Sequence, residues 1–125
     1  MKGIYLLLIF LNKNKPIKIS NKEMFFSKGF YCYVGSALNN LEKRILRHLK
    51  KDKKLHWHID YFLKEAKIVK IKIFENFKDE CALSKKIEKI SDNLIKGFGC
   101  SDCKCLSHLY YFAKNPWEKL QKIKL

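Results

Sequence analysis

The feature that most limits how this chain can fold is an unbroken run of apolar residues, Ile4 to Leu11, closed by Asn12 and Lys13. Crossing a bilayer as a helix takes roughly 20 such residues, so the run is too short for a membrane span. A signal peptide would need small residues at a cleavage site after its apolar stretch, whereas Asn12, Lys13, Asn14, Lys15 and Pro16 follow here. The run therefore reads as a buried strand, in a protein expected to stay in the cytoplasm with no membrane partner.

The rest of the pattern extends this strand into a sheet. The turn from Asn12 to Pro16 leads to a short strand around Ile17 to Ile19, reading as a hairpin with the first. After a polar turn at Ser20 to Lys22, the aromatic-rich stretch from Met24 to Val34 supplies another strand. It is clearest over Phe30 to Val34, with Gly29 and Gly35 as punctuation. Asn39 and Asn40 offer N-caps to a helix from Leu41 to about Lys51, whose Leu41, Ile45 and Leu49 form one apolar stripe facing the sheet. Arg44 and His48 fall beside that stripe, and Lys43, Arg47 and Lys50 turn further towards solvent. A short helix is expected over His56 to Ala66 and a strand over Ile68 to Phe74. Asp79 caps a second long helix running to about Lys96, through Leu83, Ile87, Ile90 and Leu94, with Gly97 at its end. The stretch from Gly99 to Phe112 reads as irregular and then extended, and Pro116 starts a short helix through Leu120 and Ile123. With 125 residues and 47% hydrophobic content there is material for one core. The expectation is a single α+β domain over residues 1–125, a small central antiparallel sheet flanked by helices.

Lys plus Arg number 27 against 12 Asp plus Glu, a formal charge of +15. That excess favours a polyanionic partner through phosphate contacts and counterion release, with nucleic acid, most of all DNA, as the leading candidate. A lysine bias that merely solvates the surface would give the same balance. Only two of the 27 are arginines, Arg44 and Arg47, both in one short segment. In a chain that otherwise uses lysine for positive charge, they mark a place needing a fixed, forked guanidinium.

Gly3, Ile4 and Tyr5 open the first strand, and Tyr33, Val34 and Gly35 close the later one before the helix that carries Arg44 and His48. A glutamate, Glu80, opens a later helix. In this order and spacing the residues resemble the GIY-YIG nuclease superfamily, seen in homing endonucleases and in the N-terminal domain of an excinuclease component. The gap between Tyr5 and Tyr33 is longer than the short turn of many members. The runs from His56 to Asp60 and from Gly97 to His108 resemble the Uri-type endonuclease subgroup of archaea and bacteria, formerly described as a domain of unknown function. Such domains also occur attached to DNA-repair glycosylases, and the match then covers nearly the whole chain.

The resemblance implies a GIY-YIG nuclease-like fold and a metal-dependent DNA endonuclease that hydrolyses phosphodiester bonds in DNA repair or processing. Tyr5 or Tyr33 would deprotonate the attacking water, and Arg44 would hold the scissile phosphate and offset transition-state charge. His48 would relay a proton or touch phosphate, and Glu80 would bind one Mg²⁺ or Mn²⁺ at the leaving oxygen. Lys43, Arg47, Lys50 and Lys51 would contact nucleic acid. Asn93, or the segment at Ser101 and Asp102, stays open for a polar contact seen in many relatives. The competing readings are a catalytically inactive GIY-YIG-like binding module and a small basic ribosome-associated protein.

Five cysteines in a chain without an export signal argue against a disulfide framework and for reduced thiols, packed or metal-bound. Cys100, Cys103, Cys105 and His108 gather soft ligands that would suit a tetrahedral Zn²⁺, but the spacing is unusual. A rival ligand set would draw in His56 or His58, with Asp60 orienting either imidazole. Buried thiols with a hydrogen-bonded histidine are the preferred reading, and zinc is the alternative.

Overall fold

The structure is a computed structural model and describes residues 1–100 and 105–125. The apolar run becomes β1 (Gly3–Leu11), an interior strand of a five-stranded antiparallel sheet. It pairs on one side with β4 (Gly29–Ala37) and on the other with β5 (Lys67–Glu75). Beyond β4 lie β7 (Leu109–Phe112) and, at the far edge, the two-residue β6 (Asn93–Leu94), for the order β5-β1-β4-β7-β6.

Side chains of β1 alternate between two cores, which is why the run is apolar at every position. Tyr5, Leu7, Ile9 and Leu11 face α1 (Leu41–Leu49) and α2 (His58–Leu63), packing with Leu41, Ile45, Ile59, Phe62 and Leu63. Ile4, Leu6 and Leu8 face α3 (Glu80–Ile90) and α4 (Trp117–Leu120), packing with Leu83, Ile87 and Leu120. Each such side chain taken from water contributes roughly 1.5–3 kcal/mol before the entropy of ordering it is set against that gain. The α+β expectation of a central antiparallel sheet flanked by helices holds.

Several local expectations do not. The strand after the first turn, β2 (Lys15–Ile19), does not pair with β1; it pairs with β3 (Lys22–Phe26) in a separate two-stranded sheet. Both edges of β1 are taken by nine-residue strands, which make longer ladders with it than a five-residue strand could. The aromatic stretch from Met24 to Val34 is thus cut at Ser27 and Lys28 into β3 and β4. Asn40 sits at the start of α1 in the left-handed region, at φ 51°, and its side chain caps nothing; the Leu41 amide donates to the Met1 carbonyl instead. Along α1 the buried positions are Leu41, Ile45 and His48, while Leu49 is 48% exposed, so a histidine occupies the inward place expected for a leucine. Asp79 caps α3 as expected, accepting from the Ala82 amide at 3.1 Å. The helix ends at Ile90 rather than near Lys96, because the chain turns extended at Ser91 and pairs with β7 through Asp92 and Ile95. A backbone ladder with β7 overrides the helical spacing of Leu94. No helix among the described residues is long and apolar enough to cross a membrane.

Candidate active site

One cavity of about 440 Å³ opens at the end of the sheet where β1 begins and β4 finishes. Tyr5, Tyr33, Arg44, His48 and Glu80 all line it. So do His56, His58 and His108, so that all four histidines of the chain meet at one place.

The register explains how the two tyrosines come together. Tyr5 lies directly opposite Gly35, two residues beyond Tyr33 on the neighbouring strand, so both rings stand on the same face. A Cβ at Gly35 would collide with the Tyr5 hydroxyl and ring, so the glycine of Tyr-Val-Gly is there to let the Tyr5 phenol lie across the strand. His48, brought inward by α1, meets that phenol: Tyr5 Oη and His48 Nε2 are 2.6 Å apart. Both tyrosines are pushed above the usual phenol range by burial, and the nearby Arg44 guanidinium opposes the shift. Tyr5 is fully buried, whereas Tyr33 keeps partial exposure and its hydroxyl makes no hydrogen bond to a described residue.

Burial, together with the Lys53 ammonium and both arginines, holds the His48 pKa down to about 4, against an opposing pull from Asp60. The ring is therefore neutral near pH 7, and a donated Tyr5 proton leaves Nε2 as acceptor. Its Nδ1 is then the N–H, and it is a buried polar atom with no hydrogen-bond partner among the described residues. Such an unmade bond costs about 1–3 kcal/mol, a cost concentrated at functional sites.

Arg44 forms no ion pair among the described residues. One nitrogen donates to the Ser36 carbonyl at 2.8 Å, and its guanidinium lies 4.5 Å from the centroid of the Trp57 ring. The fork is braced yet keeps donors for a ligand. Arg47 stacks on the same ring, at 4.4 Å, and donates through both terminal nitrogens to the Asp60 carboxylate at 2.8 and 2.9 Å. Trp57 thus holds both arginines, a role not expected from the sequence. The signal was there: one of only two tryptophans in the chain stands between two histidines shortly after the arginines.

Asp60 does not orient His56 or His58 by its side chain. Its carboxylate accepts from Arg47 and from the backbone amides of His56 and Trp57, each at 2.9 Å. Burial alone would raise its pKa, but these hydrogen bonds together outweigh burial and hold the carboxyl below its usual value. Asp60 therefore shapes the backbone of the His56–His58 turn, while His58 Nδ1 accepts from the Gly99 amide at 3.1 Å. Of the cations assigned to nucleic acid, Lys43 and Lys50 are exposed. Lys51 instead donates to the carbonyls of Leu63 and Ala66, and Arg47 is committed to Asp60.

Glu80 stands at the first position of α3 with its carboxylate on the cavity wall, making no hydrogen bond or ion pair to a described residue. Asn93 lies apart, its side chain accepting from the Leu94 amide in β6. Ser101, Asp102 and Cys103 lie outside the described residues. The expectation that all thiols are reduced is corrected at one place: Cys105 is joined to Cys81, the neighbour of Glu80 in α3, as a disulfide. Cys32 is a packed thiol, fully buried, and Cys100 is a half-buried one. The sequence does not point to Cys81, because nothing local links it to a partner 24 residues away.

No curated protein matches this sequence, and no solved structure does. The profile of a protein family described as a domain of unknown function, DUF123, matches residues 4–124, and the chain belongs to that family.

Proposed function

We propose that this protein is a metal-dependent endonuclease of the GIY-YIG type, of the Uri-type subgroup, hydrolysing phosphodiester bonds in DNA. The observation that carries the reading is the convergence of Tyr5, Tyr33, Arg44, His48 and Glu80, from four separate elements, on one cavity. A module that only bound nucleic acid would have no need to gather them.

Glu80 fits a hard divalent cation. It is a carboxylate uncommitted among the described residues and facing an open space, and Mg²⁺ commonly takes one or two protein carboxylates while keeping water and phosphate oxygens. A Mg²⁺ or Mn²⁺ held there would supply positive charge at the leaving oxygen. The chain's own residues supply the rest. The Arg44 fork grips the non-bridging oxygens and offsets the charge that builds as water attacks phosphorus. Tyr33, whose hydroxyl is uncommitted among the described residues, orients the water. The water oxygen bonds to phosphorus as the bond to the leaving oxygen breaks, and the proton removed enters the Tyr5–His48 pair, accepted at Nε2. With its pKa near 4, His48 is a relay rather than a store, passing the proton on once the leaving oxygen carries charge.

Incubating supercoiled DNA with the protein tests this. Cutting with Mg²⁺ or Mn²⁺ and none with chelator is the expected result. Equal cutting in chelator rejects the metal requirement. Tight, salt-sensitive binding without any cutting favours a binding module instead.

A further inference from the structure

We propose that Cys81, Cys105 and His108 form a structural site for one soft divalent cation, Zn²⁺, that exchanges with the Cys81–Cys105 disulfide and tethers the far wall of the cavity. The ligand atoms of these three residues lie within 4.8 Å of one another. They come from two stretches well separated in sequence, the start of α3 and the return into β7.

The donor chemistry suits zinc. Two thiolates and an imidazole, with solvent completing the tetrahedron, make a three-ligand set that zinc accepts, with metal–ligand distances of about 2.0–2.3 Å. Two thiolates on one such ion stand roughly 3.7 Å apart, within reach of side chains whose Cα atoms are 6.2 Å apart. His108 is held for the task. Its Nδ1 is 3.0 Å from the Ser84 hydroxyl, so Nε2 is the nitrogen that would ligate. Ser84 lies three residues after Cys81 on the same side of α3, and both it and His108 are buried. The helix thus provides one ligand directly and orients another, the usual outer-shell arrangement for a metal-bound histidine. The arrival of Cys81 is what reverses the preference drawn from the cysteine run alone: the third ligand comes from α3, not from His56 or His58.

The exchange balances. A dithiol reductant takes the disulfide to two thiols and is itself oxidised to a disulfide; Zn²⁺ then binds both sulfurs and releases their two protons to solvent. Either state ties Glu80's helix to the segment bearing Gly99 and His108. The metal-free reduced state leaves the tie open. None of this depends on the nuclease reading, since loading is measured without DNA.

The test uses the full chain, purified under reductant and then dialysed against Zn²⁺ or Co²⁺. The reduced wild type should carry one zinc per chain by elemental analysis, and its Co²⁺ form should show thiolate-to-cobalt charge-transfer absorption. Oxidation to the disulfide should release the metal. Cys81→Ser and Cys105→Ser should abolish the charge-transfer band or weaken it severalfold, while Cys32→Ser leaves it intact. Substoichiometric zinc in the reduced wild type overturns the proposal. So does metal retention after disulfide formation, a comparison that needs no variant to fold.

Discussion

The cavity has two walls, and they are built by different means. Tyr5, Tyr33, Arg44 and His48 hang on β1, β4 and α1, whose register is dictated by side chains packed on either face of the sheet. Glu80, Gly99 and His108 hang on one helix terminus and on the return into β7, a four-residue strand held between β4 and the two-residue β6. The first wall gets its placement from the core, so that moving Tyr5 means moving a strand buried on both faces. The second adds to a short ladder with β4 a Cys–Cys link and a histidine bonded to Ser84. Rigid placement for Tyr5, Tyr33, Arg44 and His48, and a cross-linked loop for the rest, is one way a small fold can vary one wall without disturbing the other.

The largest expected effects come from removing one reacting group on each wall. Arg44→Lys keeps the charge and loses the fork, and Glu80→Gln keeps the size and loses the metal-binding charge. Each should lower the cutting rate by roughly a hundredfold to a thousandfold, about 2.7–4 kcal/mol, with DNA affinity and melting temperature little changed. Single-turnover cleavage on the same preparations as the melts measures it. A variant that cuts at the wild-type rate removes that residue from the mechanism.

Next, Asp60→Asn should damage the first wall through stability. It leaves the Arg47 fork without its buried counter-charge and loosens the turn carrying Trp57, for a loss of about 3 kcal/mol. Chemical denaturation reads it, and a change below about 0.5 kcal/mol, the level of ordinary surface substitutions, would show the pair to be ornamental.

A pH effect follows from His48. An unfolded chain protonates this histidine below about pH 6.5, while the folded site resists until about pH 4. Stability should therefore be flat above 6.5 and fall as the pH drops towards 4, by up to roughly 3 kcal/mol. Below that window the depressed Asp60 carboxyl continues the loss as it protonates. His48→Gln should lessen the slope between pH 6.5 and 4, leaving the share of His108, whose pKa burial also lowers; an unchanged slope assigns it to other groups.

The smallest effects belong to the exposed cations. Lys43→Ala and Lys50→Ala should each reduce the salt dependence of DNA binding by about one counterion, and Lys51→Ala should cost helix-end stability instead, since its ammonium serves carbonyls. A flat salt response in the wild type would remove nucleic acid as the main partner.

The first wall was legible in the sequence and the second only in part: Glu80, Cys105 and His108 stood out, but not the Cys81 that ties them together. The apolar run, the Tyr-Val-Gly turn and the helical spacing of Arg44 and His48 are local patterns, and each maps to one element. Helical spacing puts His48 beside the apolar stripe, yet it lies within it, because the helix is rotated to bring an imidazole to the Tyr5 phenol and exposes Leu49 in doing so. Trp57, by contrast, acts through stacking on arginines 13 and 10 residues earlier, and Cys81 through a partner across the sheet end. Neither juxtaposition has a periodicity to announce it. The same holds for β2, whose own propensity is clear but whose pairing depends on which strands outcompete it for β1.

The interior place of β1 also bears on how the protein is made. Its partners β4 and β5 are completed only at residues 37 and 75, so the ribosome delivers the most apolar segment of the chain well before the strands that will flank it. At about 5–20 residues per second, the 64 residues from Leu11 to Glu75 take on the order of 3–13 s to synthesise. For that interval a β-prone stretch without charge or proline has at least one ladder edge open, the type of segment on which nascent chains associate. Lysines cluster just after it, at 13, 15 and 18, and again at 22 and 28, the kind of flanking charge that opposes association of such a segment with its own copies.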